Sequence, residues 1–244
     1  MTLRRTIATF RRARQAFGWR AALWAFAVHG LRKVIPCHVL RAMYITAALP
    51  QFTEAPPGLT AGFVDRAVLD RVTPDATYEM PPSFVDDALG KGDECYAIAA
   101  GDQVVAFGWY AHTPTRLSDD LRVYFDSTYV YMYKGLTVNG YRGRRLHAIA
   151  KTRALHAYRA RGFKGLVQCV DVDNLRSLRS AHRMGFIDFG WVLAVRILGR
   201  YLTWTTPGCA AFGFRVEPVR HAAAPARGAP GAPPPCNSRS LAAP

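Results

Sequence analysis

The sequence predicts a mixed α/β fold, a central sheet flanked by helices. Three observations predict it. The middle of the chain reads as a run of hairpin-connected strands. The pattern then alternates strand with helix. A basic, glycine-containing loop lies where one of those strands gives way to a helix. The chain has 244 residues, 50% apolar and 20% charged, which excludes a wholly disordered chain and a fibrous repeat.

Taken in order, residues 1–53 read as a basic helical N-terminal arm. Leu3, Ile7, Phe10 and Phe17 recur at helical spacing, with Arg4, Arg5, Arg11 and Arg12 between them. The arm holds nine Arg and Lys and no carboxylate. Ala21–Leu31 carries no formal charge but is only eleven residues long. A membrane-spanning helix needs ~20, so this is no span. Three readings remain: a signal-type apolar core with Ala25-Phe26-Ala27 as a cleavage-like site, an amphipathic helix lying on anionic lipid, or an arm packed on its own domain or on a second subunit.

Ala55-Pro56-Pro57-Gly58 marks a boundary, and residues 54–215 form the expected folded domain. Phe63 to Val72 suggests a helix or a strand-to-helix turn, and Pro81-Pro82-Ser83 opens a short helix with Ser83 as its cap. Glu94–Ala100 and Gln103–Ala111 are strands joined by the two-residue turn Gly101-Asp102. His112–Asp120 reads as a loop and Tyr129–Val138 as a tyrosine-rich strand. Then come a helix over Arg144–Arg161, a strand over Leu166–Val170, a helix over Asn174–Met184 and two strands within Phe186–Thr205. Gly208–Arg215 is the last expected strand. Residues 216–244, rich in Ala, Pro and Gly, are expected to be disordered.

Charge narrows the partners. The net charge is +15, which favours phosphates, nucleic acid, acidic proteins or lipid headgroups. It is unevenly spread: residues 54–141 carry a net −7, and residues 142–183 a net +9. A basic block inside a folded region is the better lead to a phosphate site. Five widely spaced cysteines with no CxxC pair fit a reducing compartment, and the histidines show no zinc-ligand spacing, so no metal is expected. A cytoplasmic setting follows, with peripheral membrane contact through residues 1–50 as an option.

Leu136-Thr137-Val138-Asn139-Gly140-Tyr141-Arg142-Gly143-Arg144-Arg145-Leu146-His147 ends a strand and starts a helix. Unpaired amides at a helix start and the helix dipole favour an anion there, and three arginines add charge. The stretch resembles the cofactor loop of the GNAT superfamily, the acyl-CoA-dependent N-acyltransferases, whose signature is Arg/Gln-x-x-Gly-x-Gly/Ala. Tyr141-Arg142-Gly143-Arg144 matches it, while Arg145 and His147 replace the usual small residues. Asn174 to Gly185-Phe186 resembles the family's second segment. Together the resemblance covers about residues 59–205.

The resemblance implies that Leu136, Thr137 and Val138 pair with the pantetheine arm of acetyl-CoA or another acyl-CoA. It places the phosphates at Arg142, Gly143, Arg144, Arg145, Leu146 and His147, and Asn174 beside the arm. It also implies a general acid at the position of Ala181 and an acid residue at that of Lys134, and this sequence has neither. His182, next to Ala181, is the expected general acid; Lys134 is expected to hold an anionic group of the acceptor, and Tyr133 to relay a proton. The implied function is acyl transfer from coenzyme A, or from an acidic acyl carrier protein, to a small-molecule amine. The alternative is a non-catalytic GNAT-like module that binds coenzyme A or anionic lipid. Nucleic acid is not an expected partner, since no groove-reading motif is present.

Overall fold

A computed structural model describes residues 10–11 and 14–219. The expectations for Leu3, Ile7, the first arginines and residues 220–244 lie outside the described residues. An eight-stranded sheet runs in the order β10-β9-β1-β8-β7-β4-β3-β2, and a small sheet in the order β11-β6-β5. The strands are β1 Cys37–Ile45, β2 Leu59–Val64, β3 Glu94–Ala100, β4 Gln103–Ala111, β5 Thr115–Arg116, β6 Leu121–Tyr124, β7 Tyr129–Thr137, β8 Gly165–Asp171, β9 Ile187–Ile197, β10 Arg200–Thr205 and β11 Arg215–Pro218. The helices are α1 Trp19–Val34, α2 Arg66–Val72, α3 Pro82–Gly90, α4 Leu146–Ala160, α5 Leu175–Arg183 and the single turn α6 Pro207–Ala210.

Strand alternation builds two faces. Tyr96 and Ile98 of β3 and Leu166 of β8 join the core under α4 and α5. Cys95 and Ala97 of β3 face the other way, packing with Leu69 of α2 and Val85 of α3. Further along that second face, Leu40, Tyr131 and Val167 are covered by Val123 and Val216 of the small sheet. Most pairings are antiparallel, but β7 and β8 run parallel.

Four expectations are corrected. The arm over 1–53 is not wholly helical: Cys37–Ile45 is β1, a central strand between β8 and β9. Its polar residues hid it from the sequence pattern, and they are matched in the fold. Arg41 Nη1 lies 2.7 Å from Asp188 and its guanidinium stacks on Trp191. The loop expected over His112–Asp120 contains β5, and β6 follows it. The strand expected over Gly208–Arg215 is α6 followed by β11, because Pro207 favours the first turn of a helix, and β11 runs on to Pro218, into the segment expected to be disordered, where Val216 is buried. The helix expected to start at Ser83 has Pro81 as its cap and Pro82 at its first position, with no side-chain cap bond.

Candidate active site

The site begins with a break in strand pairing. β7 pairs with β8 only from Tyr129 opposite Gly165 to Tyr131 opposite Val167. Across its other edge, Tyr110 faces Met132 but Trp109 faces Lys134, so Tyr133 is an extra residue, a β-bulge. A bulge bends its strand and breaks the ladder. Beyond it β7 leaves β8, and the edge of residues 133–137 toward β8 carries no strand among the described residues. Between the two strands opens a cleft of about 1260 Å³. Its walls include Lys134, Leu136 and Thr137 from β7, Cys169 and Asp171 from β8, Arg142 and Gly143 from the loop, and Asn174, Arg176 and Ser177 from the start of α5.

The loop end of the cleft is built for an anion. Gly143 has φ 83° and Arg145 φ 61°, both left-handed. Arg145 therefore takes the backbone conformation that glycine would adopt without strain, and its residue type does not alter the turn. Arg145 caps α4 without a side-chain bond, and no acid lies in the first turn. The amides of that turn thus keep donor capacity for an outside acceptor. Arg142 Nε donates to Thr137 O at 3.1 Å, fixing the guanidinium across the end of β7.

The other end gathers titratable groups. The Tyr133 hydroxyl donates to Asp93 Oδ2 at 2.9 Å. Asp93 is 2% exposed, and Lys91 Nζ stands 3.2 Å from the same oxygen. Its Oδ1 is buried with no hydrogen-bond partner among the described residues. Burial, the largest influence, raises the Asp93 carboxyl above the usual range against the pull of Lys91 and Tyr133. Burial and the neighbouring carboxylate push the Tyr133 phenol far up, so it stays protonated. Lys134 lies over the Phe84 ring at 5.1 Å, and Lys91 and Arg116 line the same end.

Deeper in the cleft, α4 presents His147 and Lys151, one turn apart. A Cβ added to Gly135 would stand 2.5 Å from His147 Cε1, so the imidazole lies against the β7 backbone. Burial, with Lys151 nearby, lowers its pKa to about 3 and keeps the ring neutral. Lys151 Nζ donates to Gln168 Oε1 at 2.6 Å, and burial pushes the amine down to about 7.

Most sequence-predicted residues converge here, and some do not. Tyr133, Lys134, Leu136, Thr137, Arg142, Gly143, His147 and Asn174 line the cleft. Asn174 also caps α5, its Oδ1 accepting from Ser177 N at 3.2 Å. His182 does not line it. It is exposed and bound to Asp188 at 3.0 Å, while Ala181 faces the core. Successive helix residues point about 100° apart, so adjacency to Ala181 carried no orientation. Arg144 folds over Tyr141 at 5.1 Å, Leu146 is a core residue, and Val138 packs with the α2–α3 core. His147 is a neutral wall residue, unlike the phosphate ligand expected of it. Sequence reasoning missed Asp93, Lys151 and Arg176. A carboxylate where a glycine turn enters a strand, and a lone lysine four residues after a histidine on an apolar helix face, were the available signals.

No protein-family model matches the chain, and no curated protein matches it. Solved structures do resemble it. A GNAT-family acetyltransferase from Colwellia psychrerythraea aligns with TM-score 0.48 at 11% identity, over 66% of this chain and 56% of that one. A GCN5-related N-acetyltransferase-like protein from Streptococcus suis gives 0.46 at 13%, over 72% and 66%. A GCN5-related N-acetyltransferase from Sphaerobacter thermophilus gives 0.45 at 14%, over 81% and 58%. Each alignment covers less than two thirds of the neighbour's own length.

Proposed function

We propose, from a GNAT-like fold as premise, that this chain moves an acyl group from coenzyme A to a small amine. The observation that carries the reading is the bulge at Tyr133, which parts β7 from β8 and opens a cleft with an anion-suited loop at one end. The residues present fit a long thioester: an unpaired strand edge for its amides, the α4 start with Arg142 and Gly143 for its phosphates, and Asn174 and Arg176 on the facing wall. An acidic acyl carrier protein is a second donor that the basic block at 142–183 would attract. A cytoplasmic setting suits either donor.

Bound in the cleft, the donor supplies the activated acyl carbon. The chain's own groups do the rest. Backbone amides on the free edge of β7 donate to the carbonyl oxygen as negative charge grows on it. The phenol of Tyr133 receives the acceptor's ammonium proton while its own passes to the Asp93 carboxylate, 2.9 Å away; the freed amine forms the amide bond as the thioester C–S bond breaks, and the departing thiolate takes the second proton that nitrogen loses. The raised carboxyl of Asp93 makes it a better base than an exposed aspartate. Lys134, Lys91 and Arg116 suit an acceptor that also carries a carboxylate or phosphate.

Calorimetry with coenzyme A and transfer assays across a panel of amines test this together. Arg142→Ala is expected to weaken coenzyme A at least about tenfold through lost charge-assisted bonds. Tyr133→Phe is expected to leave that affinity in place and cut turnover by ~10²–10⁴. A parent that binds no coenzyme A sinks the reading. A parent that binds it and acylates no amine supports the non-catalytic module instead.

A further inference from the structure

Beyond β1 from the cleft, apolar side chains are exposed on a surface that no element among the described residues covers. In the β9–β10 hairpin, Leu193 faces Trp204, Val195 faces Leu202 and Ile197 faces Arg200 in the pairing register. Opposed residues point to one side of the hairpin, and Leu193, Ile197, Leu202 and Trp204 are exposed there. The connection is Leu198-Gly199, where Leu198 is 99% exposed at φ 48°. A bulky side chain in a strained left-handed position, wholly in water, is costly twice over.

The hairpin is not isolated. Arg196 N–H donates to Pro36 O at 2.8 Å, and Val195 pairs with Cys37. The end of α1 therefore leads into the strand beside the hairpin tip, and there Val34 is 80% exposed and Ile35 and Leu31 are also exposed. Further up α1, Trp19, Leu23 and Trp24 are also exposed. Cations frame the patch: Lys33 and Arg200 are exposed at its edge, and Arg20 lies over Trp19 at 5.8 Å. Arg196 flanks the tip as well, while reaching Asp120 at 3.4 Å.

We propose that the exposed face of α1 and the β9–β10 tip form a docking surface for an anionic lipid bilayer. Three features select this occupant. The tip projects a pair of aliphatic residues flanked by arginines, so apolar atoms can enter the acyl boundary while the cations stay at headgroup level. Trp19, Trp24 and Trp204 are exposed, and tryptophan is the residue that favours a membrane interface. The sequence preceding β1 carries no carboxylate to repel anionic headgroups. No helix among the described residues is long and apolar enough to cross a membrane, so the contact is peripheral. The proposal does not depend on the acyl-transfer reading.

The full chain is tested by flotation with phosphatidylcholine vesicles, with and without phosphatidylglycerol, while its oligomeric state is followed by sedimentation. The parent is expected to float with the anionic vesicles and to show a blue-shifted tryptophan emission. Ile197→Ser with Leu198→Ser, the first half exposed and the second fully so, both outside the core clusters, is expected to weaken binding at least about tenfold, since each buried methylene contributes. Arg200→Gln and Lys33→Gln are each expected to weaken binding to anionic vesicles about fivefold and to leave neutral ones unchanged. Trp204→Phe is expected to reduce the blue shift. No flotation by the parent, or equal flotation by the tip variant, overturns the proposal. So does a dimer that dissociates in the tip variant, which makes the surface an interface between copies.

Discussion

Lys151 shows how one residue can set the pH response of the fold. Its amine is buried against Gln168 and held at about 7 against an ordinary 10.5. Below pH 7 both folded and unfolded chains carry the proton, and the buried charge is a full burden on the fold. Between 7 and 10.5 the unfolded chain binds more protons, so stability rises with pH across that window. Lys151→Met is expected to stabilise the protein by a few kcal/mol at pH 6 and to abolish the rise, as urea unfolding at pH 6 and pH 9 would read. A parent equally stable at both values contradicts it. At this scale the sequence disclosed residues whose placement is set locally. Arg142 and Gly143 follow from a strand, a loop and a helix in succession. Asp93 and Lys151 act through burial by distant elements, which no local pattern records, and the orientation of His182 was hidden for the same reason.

Elements were legible when their partners were near in sequence. β3 and β4 have the bounds that alternation and the Gly101-Asp102 turn predict. β1 was not legible, because Leu40 pairs with Asp171 and Cys37 with Val195, and only that pairing buries it. The bulge at Tyr133 was likewise hidden, since a register shift is a property of two strands. One glycine tests the position of β1. A Cβ on Gly165 would stand 2.1 Å from the backbone oxygen of Ile45, so β8 accepts only glycine where β1 ends. Gly165→Ala is expected to destabilise the fold by about 1–3 kcal/mol, the usual range for overpacking a tight site. An unchanged urea midpoint would mean that β1 does not lie there. By the same geometry, removing residues 1–50 would take an interior strand out of the sheet, so that truncation is expected to lose the cooperative fold.

At the scale of the molecule, the cleft and the apolar face are joined by α1, whose Arg32 binds Asp171 and Asp173 at the end of β8. The placement of β1 also imposes an order of events during synthesis. The strand is made before the rest of the sheet, yet its two neighbours, β8 and β9, are among the last parts of the chain to appear. At ~5–20 residues/s, roughly 7–30 s pass between the completion of β1 and the start of β9. Through that interval a nascent chain holds a strand with both edges unpaired, a template for association with other chains. A chain stopped after α4 is therefore expected to aggregate or to melt without a cooperative transition, and a cooperative melt by that fragment would contradict this account. The complete chain is expected to refold slowly, as large sequence separation between paired strands slows closure. A cell making this protein must shelter its first strand until its last ones arrive, so yield should depend on chaperone supply more than on the stability of the finished fold.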